Sequence, residues 1–375
     1  MPTPLNDAAA DLWSQIFERI AAHPGAAIND PEHDHAADDV VMRAGFAGAG
    51  WSEDEISGIV AAGKSAEEKA PSTSPGVSRA AEARHAILCG DVEAEMARQR
   101  LDSHALVARG IEPRTGPFAS KIGVVMTEQS IIAVGSFTYR FCGLVAKAFT
   151  RTLRLEPGLW EPDDFTPARA RTLLRRNPAV LIYWLRIHLS FALTGTNLTV
   201  PFKPSTKEEI VLVEQVARAM EIFIVAHEYG HHHFGHGRDV EADAHAEEFG
   251  ADQFALRIGA PLGLQERFWN PYLESGAGGA ILLMALETLR HFETFLGGRV
   301  PVADTHPVAS ARIDAFDTVA LMEPRRFAAL KGYRTASRRL MAVVHELMDE
   351  ILAGIPVELR ASLTRMRAEL AAELP

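Results

Sequence analysis

The side chains best suited to catalysis lie in one stretch of this 375-residue chain, residues 221–252. The stretch contains the pattern H-E-x-x-H, formed by His227, Glu228 and His231. Positions i and i+4 of a helix lie on one face, so the two imidazoles can bind one metal ion side by side. Glu228 follows the first histidine and can reach a water molecule on that metal. Two histidines and an adjacent carboxylate indicate the chemistry of a zinc hydrolase, in which the carboxylate takes a proton from water.

A catalytic zinc ion needs a third protein ligand and keeps a fourth position open. The segment after the first motif is predicted to form a second helix and contains E-x-x-A-D at residues 248–252. We predict that Glu248 is the third ligand. Asp252, one turn later, is predicted to accept the free N–H of a ligand histidine. His245 lies three residues before Glu248, and we expect it beside the ligands or near the leaving group.

Other residues of the stretch offer competing ligands. His232 and His236 share the i, i+4 spacing, but no glutamate follows the first of them. That pair could bind a metal but would lack a positioned base. Asp239 begins a D-x-x-A-D pattern only eight residues after His231. Eight residues leave little room for a turn and a returning helix, so Glu248 is favoured.

The two motifs, in this order, resemble those of the gluzincin metallopeptidases, especially the HtpX and CAAX-prenyl-protease type. They resemble the thermolysin arrangement more distantly. A downstream T-H-P-x-x-x-x-R-I segment, residues 305–313, is similar to the C-terminal motif of the same family. The resemblance covers residues 205–315, and it implies that His306 and Arg312 lie near the metal and support the substrate or the oxyanion. The HtpX-type enzymes are membrane proteins, so soluble ImmA-like proteases are the closer functional analogues.

The resemblance also implies a fold and a cofactor. The expected fold is α+β and mostly helical, a zincin-like catalytic domain with a small β-sheet beside the H-E-x-x-H helix and extra N- and C-terminal helices. The expected cofactor is Zn²⁺. In such folds an edge strand takes the substrate in extended form, because it offers unpaired N–H and C=O groups to a peptide. Two β-branched runs within residues 119–136 predict a hairpin of that sheet.

The elements that must position the motif can also be predicted from the sequence. Val216, Met220 and Ile224 form an apolar stripe that leads into His227. A capping box at Ser205 or Thr206 is predicted to begin this helix, and Gly235 and Gly237 to end it. Further helices are predicted over residues 5–22, 51–61, 79–110, 137–155, 166–176, 178–193, 279–297, 323–352 and 356–373.

We divide the chain into four segments. Residues 1–75 form an N-terminal helical region with an acidic loop, and a linker is predicted at 63–79. Residues 76–200 form a helical and β-hairpin region that packs on the catalytic unit. Residues 201–320 are the metallopeptidase core, and residues 321–375 are C-terminal helices.

Composition excludes several classes of protein. A net charge of −11 and a pI near 5.8 argue against a general nucleic-acid binder. The two cysteines, Cys89 and Cys142, do not indicate a disulfide framework and are expected to be buried free thiols. The N-terminus lacks the features of a signal peptide, and no apolar run reaches the roughly 20 residues needed to span a membrane. We therefore expect a cytoplasmic protein.

These observations predict a zinc-dependent endopeptidase that hydrolyses a specific intracellular protein target. A cytoplasmic protease cannot be indiscriminate, so residues 1–200 are expected to restrict access, select the substrate or bind a regulatory partner. The alternative is a zinc-stabilised regulatory or interaction module without proteolytic activity. Glu228 argues against this alternative, because a structural zinc site needs no base and is usually closed by four protein ligands.

Overall fold

A computed structural model of the chain describes residues 8–21, 35–70, 77–101, 107–112, 116–156, 165–197, 202–237, 243–265, 269–297, 306–318 and 324–373. Within these ranges the protein is mostly helical with one three-stranded sheet, so the predicted α+β class is confirmed. None of the helices in this part of the chain has the length and apolar character needed to cross a membrane.

The helices that form the scaffold are numbered in chain order. They are α1 (Ala8–Ala21), α2 (His35–Gly48), α3 (Glu53–Lys69), α4 (Arg79–Arg98), α5 (Ser136–Leu153), α6 (Pro167–Arg176), α7 (Pro178–Thr194), α8 (Lys207–His233), α9 (Ala244–Gly263), α10 (Pro271–Glu274), α11 (Ala277–Phe295), α12 (Ala309–Ala315), α13 (Pro324–Ala353) and α14 (Val357–Glu373). The strands are β1 (Val107–Glu112), β2 (Ala119–Gly123) and β3 (Ser130–Gly135).

The sheet has the order β1-β3-β2. Strands β2 and β3 pair antiparallel, which confirms the hairpin predicted for residues 119–136. The helix predicted over residues 79–110 is wrong at its end, because α4 stops at Arg98 and β1 pairs parallel with β3. This pairing joins residues more than 20 positions apart, and local periodicity carries no signal for such contacts.

Most other predicted helices are confirmed, with shifted ends. Ser52 and Glu55 form a capping box at the start of α3. That helix continues to Lys69, so the linker predicted at 63–79 is wrong over its first residues. Residues 71–76 of the predicted linker lie outside the described residues.

Helix α8 lies at the centre of the fold and packs against α4, α5, α9 and α11 as well as strands β2 and β3. One buried core extends from Val77 to Leu352, so the three segments predicted after residue 75 share a core. Glycines allow the closest helix crossings. A Cβ atom at Gly278 of α11 would lie 2.5 Å from the Ala219 side chain of α8.

Candidate metal centre

Helix α8 begins and ends at the predicted signals. The side chain of Thr206 accepts a hydrogen bond from the backbone N–H of Glu209, and Glu209 in turn accepts hydrogen bonds from Ser205. After His233 the chain turns through Gly235 and Gly237, which have φ values of 68° and 71°. Such positive φ values carry little strain only for glycine. The result is a 27-residue helix whose last two turns carry the H-E-x-x-H motif.

A close contact between α8 and α9 brings the third predicted ligand to the motif. A Cβ atom at Gly230 would lie 3.0 Å from both the Ala251 Cα atom and the Phe254 Cβ atom of α9. Carbon atoms normally stay about 3.5–4.0 Å apart, so the absence of a side chain at Gly230 allows this approach. Glu248, one turn before Ala251, therefore faces the two histidines.

Two histidines and one glutamate converge at this crossing. His227 Nε2 lies 3.0 Å from His231 Nε2, and each of these atoms lies 3.4 Å from a carboxylate oxygen of Glu248. Ligands about 2.0–2.1 Å from a tetrahedral zinc ion lie roughly 3.3–3.4 Å apart. The two His–Glu separations match this spacing, and the His–His separation is slightly shorter. The Glu248 Oε2 atom is buried between His227 Nε2 and the guanidinium of Arg312.

Asp252 and Arg312 form the buried wall behind these three side chains. Asp252 is 1% exposed, and its Oδ1 atom lies 3.0 Å from His227 Nδ1, the contact expected from the sequence. Arg312 donates two hydrogen bonds to Asp252, of 2.7 and 2.6 Å, and its Nη1 atom lies 3.1 Å from Glu248 Oε2. The guanidinium of Arg312 is buried and holds the Glu248 and Asp252 carboxylates in place. Support of the substrate or the oxyanion by Arg312, which the family resemblance implies, stays a prediction.

His306 lies on the other side of Glu248. Its Nδ1 atom is 2.8 Å from Glu248 Oε1 and is itself buried, whereas 40% of the side chain is exposed. The exposed part of the side chain therefore lies elsewhere on the ring. Residue 305, the first of the T-H-P segment, lies outside the described residues.

The structure separates several residues that the sequence had grouped together. His245 is exposed at the start of α9, and its side chain forms no hydrogen bond or ion pair with any described residue. Asp239, the competing third ligand, lies outside the described residues. His232 is buried with its Nδ1 atom 2.9 Å from Ser130 Oγ of β3. His236 lies beyond the end of α8, so the His232–His236 spacing is not a helical i, i+4 pair.

His236 has a position that the sequence did not predict. Its Nδ1 atom lies 2.9 Å from His231 Nδ1, and its carbonyl oxygen accepts a 2.5 Å hydrogen bond from Lys121 Nζ of β2. If His231 Nε2 binds a metal, the ring proton of His231 must be on Nδ1 and must be donated to His236. His236 would then orient that ligand, and its backbone contact with Lys121 joins the edge strand to the end of the motif helix. Its position after a helix end gave no periodic signal for this contact.

Burial and charge shift the pKa values of the central groups. Burial opposes protonation of His227, but Asp252 and Glu248 outweigh burial and raise its pKa to about 9. Burial also opposes ionisation of Glu248, yet His227, His231 and His306 hold its pKa well below its usual range. For Glu228, burial is the larger effect and raises the pKa, although His227 and His231 act in the opposite direction.

Glu228 differs from the other buried carboxylates of the centre in having no fixed partner. It is 8% exposed and forms no hydrogen bond or ion pair with any described residue. A buried carboxyl group without a partner is costly to keep. Such groups, with a perturbed pKa beside a cluster of metal-ligating atoms, are typical of acid–base catalysts.

A second set of polar contacts holds the motif helix to the N-terminal half of the chain. The Tyr229 hydroxyl of α8 donates to Glu93 of α4, which also accepts a 2.9 Å hydrogen bond from Arg109 of β1. Arg84 of α4 forms a 2.6 Å ion pair with the buried Glu221. The orientation of α8 therefore depends on residues from the first 200 positions.

Comparison with protein-family models, curated proteins and solved structures gives no match for this chain.

Proposed function

We propose that this protein is a zinc-dependent endopeptidase with His227, His231 and Glu248 as the metal ligands and Glu228 as the general base. The observation that carries the proposal is the buried Glu228, which has no hydrogen bond or ion pair to any described residue and lies beside three converging ligand atoms. A structural metal site would have no use for this carboxyl group. Two histidines and a carboxylate favour zinc among divalent cations.

The roles of the protein groups follow from their positions. A zinc ion held by such a set acts as a Lewis acid and lowers the pKa of water. The Glu228 carboxylate would accept a proton from the attacking water and pass it to the nitrogen of the leaving amine. The exposed edge of His306 would donate to the oxyanion. Asp252, His236 and Arg312 would hold the ligands in orientation.

Strand β2 is the proposed binding edge for the substrate. Within the described residues it is an edge strand of the sheet and packs against α8. An edge strand can pair with an extended peptide through its free N–H and C=O groups. Lys121 of this strand contacts the backbone of His236, so a peptide bound along β2 would have a fixed position relative to the two ligand histidines.

We further propose that the protein acts in the cytoplasm on a specific protein target. The first 200 residues would then provide selectivity or bind a regulatory partner, which is consistent with the contacts of α4 and β1 with the motif helix. Its acidic charge supports neither DNA nor RNA as a partner.

The proposal is tested by metal content and by peptide cleavage in the same preparations. Wild type, Glu228→Gln and Glu248→Ala are compared, with Glu214→Gln as a control at an exposed position of the same helix. Cleavage is assayed on a peptide library derived from a whole-cell digest, with new termini identified by mass spectrometry. We expect Glu228→Gln to retain zinc without cleavage, and Glu248→Ala to lose the centre's zinc.

Each other outcome contradicts a specific part of the proposal. Zinc binding without cleavage by wild type would favour an interaction module. Full activity of Glu228→Gln would remove Glu228 as the base. Retention of all zinc by Glu248→Ala would show that the third ligand is wrong, with Asp239 and His245 as the next candidates.

A further inference from the structure

A second group of potential metal ligands lies on the opposite helical layer, between α11 and α13. His345 and Asp349 are one turn apart on α13, and His291 of α11 faces them. One ligand atom of each residue lies within 4.8 Å of the others. The His291 and His345 rings have centroids 4.8 Å apart. No residue of this group contributes to the centre at His227.

A hydrogen bond of Thr288 favours one tautomer of His345. The Thr288 hydroxyl donates its only proton to the carbonyl oxygen of Met284, at 2.9 Å. The same oxygen lies 3.0 Å from His345 Nδ1 and, in that arrangement, accepts from that nitrogen. The ring proton of a neutral His345 is then on Nδ1, and Nε2 carries a lone pair. A hydrogen bond to the nitrogen that does not bind the metal fixes the orientation of a metal-binding histidine.

The lone pair of His345 lies near a carboxylate. His345 Nε2 is 3.6 Å from Asp349 Oδ2, and His291 Nδ1 is 2.9 Å from Asp349 Oδ1. In the first contact a neutral imidazole and a carboxylate both offer electron pairs, so no hydrogen bond can join them. A cation between them would satisfy both. The two separations bracket the roughly 3.3–3.4 Å expected between ligands of a tetrahedral zinc ion.

We propose that His291, His345 and Asp349 form a second, solvent-facing site for a divalent transition metal of the zinc class. Two nitrogen ligands and one carboxylate favour zinc over magnesium or calcium. On binding, the His291 proton would move from Nδ1 to Nε2, which can be solvated because half of this side chain is exposed. The charge of Asp349 would then be neutralised by the metal in place of the histidine N–H.

The site would connect two helices of the scaffold. Helix α11 packs directly on α8, where Gly279 lies against the Phe223 ring. Helix α13 also packs on α11. A metal ion between α11 and α13 would therefore stabilise the layer behind the motif helix. Its role is structural, and it does not depend on the proposed peptidase activity.

The test counts zinc per chain after equilibration with zinc chloride and gel filtration. Asp349→Asn keeps the shape and an acceptor for His291 but removes the charged ligand. Glu346→Gln is the matched control, because it makes the same change on the same helix at a residue paired with Arg171. We expect two zinc ions in wild type and in Glu346→Gln, and one in Asp349→Asn. Glu248→Ala should also hold one, and Glu248→Ala/Asp349→Asn none.

Thermal unfolding provides an independent measurement. Zinc should still raise the melting temperature of Glu248→Ala, and this increase should disappear in Glu248→Ala/Asp349→Asn. Equal zinc content and equal stabilisation with and without the Asp349 change would overturn the second site. If wild type held one zinc ion that Asp349→Asn retained and Glu248→Ala lost, only the second site would be wrong. If wild type held one zinc ion that Glu248→Ala retained and Asp349→Asn lost, only the His227 centre would be wrong. If Asp349→Asn does not fold, His291→Asn is measured in its place.

Discussion

The close contact at Gly230 predicts a large effect for a small substitution. A Cβ atom there would lie 3.0 Å from Ala251 Cα and Phe254 Cβ, and 3.2 Å from the Ala251 carbonyl oxygen. Two of these three atoms belong to the backbone of α9, so no side-chain rotation can relieve the contact. Separation to about 3.5 Å or more requires α9 to move by roughly half an ångström, which also moves Glu248 away from the histidines.

The magnitude follows from two opposing effects. Overpacking a tight interior contact costs about 1–3 kcal/mol. Replacing glycine by alanine inside a helix stabilises the folded state by about 1 kcal/mol. We therefore expect Gly230→Ala to lower the free energy of unfolding by up to about 2 kcal/mol. Gly58→Ala is the matched control, because this exposed glycine of α3 has no atom within 4 Å of the added Cβ. It should raise stability by about 0.5–1 kcal/mol.

The assay is urea unfolding of both variants and wild type in the presence of a chelator, followed by zinc titration of the folded proteins. The chelator isolates the packing effect from the metal. Zinc affinity should fall in Gly230→Ala and remain at the wild-type level in Gly58→Ala. If Gly230→Ala were as stable as Gly58→Ala and bound zinc like wild type, the close α8–α9 approach would not be what positions Glu248.

Three further predictions follow from the buried charges and rings. Arg312→Met should lower the unfolding free energy at pH 7 by about 3–5 kcal/mol in urea unfolding, because it leaves two buried carboxylates without their cation. The control Arg338→Met removes an exposed ion pair and should cost less than about 1 kcal/mol. Equal losses of stability in the two variants would contradict the reasoning. Burial lowers the pKa of His188 from 6.5 to about 4. The contribution of neutral His188 to the free energy of unfolding is therefore complete above pH 6.5 and falls by about 3 kcal/mol towards pH 4. Urea unfolding at pH 6.5 and pH 4 should show that His188→Phe loses less stability on acidification than wild type does. An equal loss in the two proteins would refute this role of His188. His236→Ala should weaken zinc binding by about 10–100-fold in a competition titration, whereas unchanged affinity would show that His236 does not orient His231.

The sequence by itself determined the local features of the centre. The spacing of His227 and His231, the cap at Thr206 and the glycine ends of α8 depend on residues within one or two helical turns. Such relations follow from helix geometry and backbone conformation alone. Most of the individual helices and the β2–β3 hairpin followed from periodicity and β-branched runs in the same way, whereas the fold class came from the family resemblance.

Only the tertiary structure decided which distant groups complete the centre. The approach of α9 at Gly230, the hydrogen bonds from Arg312 to Asp252 and the contact of His236 with His231 join different elements or follow a helix end. Strand β1 was missed for the same reason, because its pairing partner lies 23 residues away, as in Val107 and Ser130. Contacts of this kind depend on how faces pack, and packing is a property of the whole chain that no local pattern contains.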